Sequence, residues 1–178
     1  ELEQAQRALE KELQRAELRG YPKPSDVKVG VMLEVPALIF QLPQLVERVD
    51  FISIGSNDLQ QFFFASDRGN PRLDNRYDEL SPAFLSMLHW VMQTCSKAGV
   101  EVSVCGEMAG RPLSALALLG VGVRHLSMSA ASVGPVRSMV RSAEVGATRK
   151  FLESLLNLPA HSLRNRLIAF AKDHGVAV

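Results

Sequence analysis

The chain has 178 residues, 47% of them hydrophobic and 22% charged, with a formal net charge of +1. That length and apolar content suffice to bury one sizeable core, and the balanced charge supplies neither the basic stripe of a nucleic-acid binder nor an acidic, disordered tail. The two cysteines, Cys95 and Cys105, fit no metal-ligand or disulfide-framework spacing and suit a reducing cytosol, and no signal peptide or apolar run long enough to span a membrane is present.

In chain order, residues 1–19 predict a charged helix with Leu2, Ala5, Leu9, Leu13 and Ala16 on one face, stopped by Gly20 and Pro22. Three or four heptads would be needed for a coiled coil, so this reads as a solvated outer helix. It begins at Glu1 without a methionine, and the sequence is read as part of a longer protein. VKVGVMLEV (27–35) predicts a buried strand, and Pro36 starts a helix, ALIFQLPQLVERV. DFISIG (50–55) is a short strand running into SNDLQQFFF, and a loop rich in Pro, Gly, Asn and Asp covers residues 69–82. The helix AFLSMLHWVMQTCSKA places Phe84, Leu88, Val91, Met92 and Cys95 on one face, with Gly99 as its C-cap.

VEVSVC (100–105) predicts a third strand, because Val100, Val102 and Val104 alternate with Glu101 and Ser103; a helix follows from Pro112 to Leu119. RHLSMSA (124–130) is the fourth strand, with a helix near 132–142, and two further helices near 147–157 and 161–173 close the chain. Strands alternating with helices predict an α/β fold with a parallel sheet, since each crossover returns the chain to the same end. The strand interiors are apolar, so the polar residues gather at the carboxyl ends: Glu34, then Asn57 and Asp58, then Cys105, then Ser127 and Ser129. In parallel α/β folds that rim is where active sites are built.

Each candidate also has a plain reading. Glu34 suits a helix N-terminus just ahead of Pro36, and Asp58 suits a helix cap; together, carboxylates on adjacent strand ends can share a divalent ion. Arg68, in SDRGN, is either a surface charge or a planar fork for a phosphate. Cys95 has core spacing. His89, His125, His161 and His174 share no spacing and read as structural or exposed. LGVGVRH (119–125) contains a GxG but precedes a strand, so it is not a dinucleotide loop.

DFISIGSNDLQQFFFASDRGN (50–70) resembles a signature of the phosphoenolpyruvate-utilising enzymes, VSVCGEMAGRP (102–112) resembles their cysteine-bearing signature, and VMLEVPA (31–37) adds a third block. Among these enzymes the chain is most similar to enzyme I of the bacterial phosphotransferase system, in particular its nitrogen-related branch, through RYDELSPA (76–83), CGEMAG and GVRHLSMSAASV (122–133). The resemblance implies that residues 1–178 form the second half of a phosphoenolpyruvate-binding (β/α)8 barrel of TIM type: its last four units plus C-terminal helices. It implies magnesium as cofactor, held by Glu34 and Asp58, and substrate binding by Asn57, Asp58 and Arg68. Cys105 is then the acid that protonates the methylene carbon of the substrate, a role that fits a group protonated at neutral pH yet able to give its proton up.

The implied activity is phosphoryl transfer from phosphoenolpyruvate to a histidine of a separate domain of the same cytoplasmic enzyme, with a histidine phosphocarrier protein downstream. The open sheet edges of half a barrel suggest a homodimer. A pyruvate phosphate dikinase or phosphoenolpyruvate synthase shares these blocks, and a non-catalytic assembly module is the reading from another class. Ser56 stands where the family frequently has threonine, Phe62 where tyrosine is common, and Arg111 where aspartate is usual. No role is assigned to Arg111.

Overall fold

A computed structural model describes residues 1–67, 69–70, 73 and 76–178. Helix α1 (Leu2–Leu18) buries none of its residues, as its charged pattern predicts. Among the described residues four strands follow, β1 (Gly30–Leu33), β2 (Phe51–Gly55), β3 (Glu101–Cys105) and β4 (His125–Leu126). They form one parallel sheet in the order β1-β2-β3-β4, so each strand lies beside its sequence neighbour. The α/β fold with a parallel sheet is therefore present, in an arrangement consistent with part of a barrel.

Between the strands lie α2 (Leu42–Leu45), α3 (Ser56–Phe63), α4 (Pro82–Ala98), α5 (Glu107–Gly110) and α6 (Pro112–Val121). Helices α7 (Ala130–Ser142), α8 (Val145–Glu153) and α9 (Arg164–Asp173) complete the chain.

Alternate strand residues decide which face of the sheet is packed. Leu33, Ile52, Ile54 and Val104 have no exposed surface, and Val102 has little. They share a core with Phe84, Leu85, Leu88, Val91 and Cys95 of α4 and with Leu118 and Val121 of α6. On the opposite face, Met32, Phe51 and Glu101 are exposed, and Ser53 and Ser103 are half-buried. Ser103 donates to Ser53 across the register at 3.3 Å. Helix α6 is apolar all round, and every residue from Ser114 to Val121 is buried. One side of it closes the main core; the other, through Ala115, Leu116 and Leu119, packs with Val136, Met139, Phe170 and Ala171 in a second cluster.

Local signals explain most boundaries. Ser81 caps α4 by accepting the Phe84 amide, and Gly99 ends it in the left-handed region at φ +71°. The helix expected after Pro36 is corrected: residues Pro36–Gln41 form a 3-10 helix, followed by the single turn α2. Pro43 has no amide to offer the Ile39 carbonyl, which is taken instead by Leu42 three residues on. The first strand is shorter than its apolar run, and the fourth pairs over two residues. Ser129 lies outside β4 and precedes α7 as its N-cap residue. The turn α5 has no counterpart among the expected elements, and the helices expected near 147 and 161 start at Val145 and Arg164.

Candidate functional site

The carboxyl ends of β1, β2 and β3 bring together the residues expected at the rim. Glu34 directly follows β1, and its Oε2 comes within 3.0 Å of where a Cβ on Gly55 would stand, at the end of β2. Ser56, Asn57 and Asp58 come next and form the first turn of α3. Cys105 ends β3, lies opposite Gly55 in register and is half-buried. Its thiol donates to the Ile54 carbonyl at 3.4 Å. Arg68 lies outside the described residues.

Two side chains tie these strand ends to each other. Ser56 is 2% exposed, and its hydroxyl donates to the Cys105 carbonyl at 2.6 Å. The Asn57 side-chain oxygen accepts the Glu107 amide at 3.2 Å, so its NH2 end is not engaged by that contact. Gly106, between them, sits at φ +104°, and a Cβ there would collide with Ser56 Oγ and the Asn57 amide.

Among the described residues no group of three or more His, Cys, Asp and Glu side chains comes together as a metal cage. Glu34 and Asp58 are two carboxylates of the hard-oxygen type magnesium takes, an ion that commonly keeps water or substrate oxygens in its remaining positions. The donor set fits that ion chemically.

Beside the rim opens a polar cleft of about 630 Å³, lined by Asn57, Tyr77, Glu107, Arg111, His161 and Arg164 among others. Glu34, Asp58 and Cys105 do not line it, so the cleft and the strand-end rim are neighbours rather than one space. Its wall is held by paired charges. Arg164 donates to both oxygens of Asp78, at 2.8 and 3.0 Å, and Ser162 adds a hydroxyl at 2.7 Å. Burial pushes the Asp78 carboxyl up, but the Arg164, Leu80 and Ser162 hydrogen bonds outweigh it and hold the group below its usual range. The buried Glu79 accepts the Ser114 hydroxyl at 2.5 Å and Arg111 at 3.4 Å. Arg111, unassigned from the sequence, therefore takes part in this wall. Glu79 carried no sequence signal, because nothing in ELSPA marks its partners 32 and 35 residues away.

The other single residues fall as expected. Cys95 is fully buried, and burial pushes its thiol up to about 11. His89 meets the Val121 carbonyl and Gln93, His125 pairs with Glu101 at 3.2 Å, and His174 stacks on Phe170.

Residues 1–145 match the family of PEP-utilising enzymes, in its PEP-binding domain. The chain is 39% identical, over 99% of its length, to "Phosphoenolpyruvate-dependent phosphotransferase system" of Salmonella typhimurium and covers 24% of that protein. Identity to the protein of the same description in Escherichia coli is 38% over 99% of the chain, covering 24% of that protein. With "Phosphoenolpyruvate-protein phosphotransferase" of Bacillus subtilis it is 34% over 97%, covering 30%. The chain thus spans about a quarter to a third of the length of these relatives. The family match extends over most of the chain, which therefore belongs to the PEP-utilising enzymes, as their PEP-binding domain.

Proposed function

We propose that the chain binds phosphoenolpyruvate at the strand-end rim and serves phosphoryl transfer from it to a histidine of the same enzyme, releasing pyruvate as the first step of a phosphotransfer relay. The observation that carries this reading is the meeting of Glu34, Asn57–Asp58 and Cys105 at three neighbouring strand ends. Relatives named as phosphoenolpyruvate–protein phosphotransferases favour it over a dikinase or a synthase. An assembly module would not require these residue types at one rim. Residues 1–178 are read as the C-terminal half of a (β/α)8 barrel of TIM type. The partners are a second copy of the protein and a histidine phosphocarrier downstream, in the cytoplasm.

In this reading Asn57 offers its NH2 to the anionic substrate, and Arg68 binds the phosphate. Glu34 and Asp58 would hold magnesium, which when bound supplies charge stabilisation for substrate oxygens. As the histidine nitrogen takes the phosphoryl group, the P–O bond breaks and its electron pair stays on the enolate. The Cys105 S–H bond then breaks as the proton passes to the methylene carbon, giving pyruvate, and the thiolate regains a proton from solvent. The test is exchange of pyruvate methyl hydrogens with deuterated water, followed by NMR in the intact protein with magnesium. Wild type is expected to exchange, and Cys105→Ser to lose nearly all exchange while magnesium affinity is retained. Wild-type exchange by the serine variant would remove Cys105 from the reaction.

A further inference from the structure

We infer that Ser56 is a positioning residue for Cys105, acting through the backbone of the turn that follows β3; the inference rests on the reading of Cys105 as proton donor. Ser56 is the first residue of α3, one position past the N-cap Gly55, so its hydroxyl is not placed to cap its own helix. It crosses instead to the Cys105 carbonyl, 49 residues away in sequence. At 2% exposure this hydroxyl has to be satisfied inside the protein, and that carbonyl is the partner it takes.

The contact sits where the sheet stops supporting Cys105 on one side. Strand β4 pairs with Ser103 and Val104 and goes no further, whereas β2 continues to Gly55 opposite Cys105. Cys105 is therefore held from the β2 side at both ends: its thiol by the Ile54 carbonyl at 3.4 Å, its own carbonyl by Ser56 at 2.6 Å. Fixing the carbonyl fixes the peptide plane between Cys105 and Gly106, and with it the direction of the Cα–Cβ bond that carries the thiol. Gly106 leaves room for the hydroxyl, since any Cβ there would strike Ser56 Oγ. Asn57 and Asp58, the next residues along, face the substrate in the proposed reaction. The strand end that grips the substrate thus also sets the acid.

A donor misplaced by a fraction of an ångström loses rate without losing ligand affinity. In the intact protein, Ser56→Ala is expected to slow pyruvate methyl exchange about tenfold, the value of one hydrogen bond used for positioning. Phosphoenolpyruvate binding by calorimetry should stay within about twofold, a margin of a few tenths of a kcal/mol. Ser56→Thr and Ser56→Val differ by one hydroxyl at matched volume; threonine should exchange close to wild type and valine should not. That pair decides the matter if the alanine variant does not fold. Exchange at the wild-type rate in Ser56→Ala, or equal exchange in the threonine and valine variants, overturns the inference, as does a loss of binding as large as the loss of exchange. Cys105→Ser, run alongside, separates the two levels: if it exchanges normally, the reading of Cys105 itself falls.

Discussion

Cys95 and Cys105 carry the same thiol in different surroundings. Cys95 lies on the inner face of α4 with no exposed surface, and burial raises its thiol to about 11, so almost no thiolate exists at neutral pH. Cys105 is half-buried at the rim. A chromogenic aromatic disulfide added at pH 8 should therefore label one thiol per folded chain, with the second appearing on denaturation. Labelling of both at similar rates in the folded protein would contradict this burial. The two positions were separable in the sequence, because helical spacing marked Cys95 as core and a β-branched alternation ending on glycine marked Cys105 as a strand end. What holds Cys105 was not legible: the Ser56 bond joins residues whose proximity only the pairing of β2 with β3 creates.

At the scale of elements, the turn after β3 depends on Gly106. Its φ of +104° and its contact with Ser56 and Asn57 both exclude a side chain. Gly106→Ala should cost about 1–3 kcal/mol of stability, read as a lower midpoint in denaturant. A midpoint unchanged from wild type would show that the turn has another conformation. The wall of the cleft makes a pH-dependent claim. Asp78 is held below its unfolded value of ~3.9, so its contribution to stability is fully present above that pH and lost as pH falls through the lower folded value. Asp78→Asn should be less stable than wild type at pH 7, with the gap narrowing below about pH 4. A gap that stays constant from pH 7 to pH 3 would show that the charge of Asp78 is not what matters. The four strands and most helices were legible from periodicity, while the break of the helix after Pro36 was obscured by an apolar pattern that outweighed Pro43. The wall itself was hidden, since the partners of Asp78 and Glu79 lie 32 to 86 residues further along the chain.

For the whole molecule, the sheet is finished on one face and open on the other. Met32 is 50% exposed and Phe51 37%, on the face opposite the core. Residues 1–178 produced alone should therefore self-associate in light scattering, and should not turn over phosphoenolpyruvate, because the proposed acceptor histidine belongs to another domain. A turning-over monomer would contradict both expectations.

The clasp between Asp78 and Arg164 also sets an order of assembly. The Leu163 amide meets the Leu80 carbonyl at 2.8 Å, and Arg164 grips Asp78 across 86 residues of sequence. A contact of that span is expected to close late in folding, after the local helices and neighbouring strands have removed most of its loop-closure cost. During synthesis the three strands bearing the proposed chemistry leave the ribosome well before Arg164 does. The rim can thus be paired while its side wall still waits for Arg164, and α9 works as the latch that finishes the cleft.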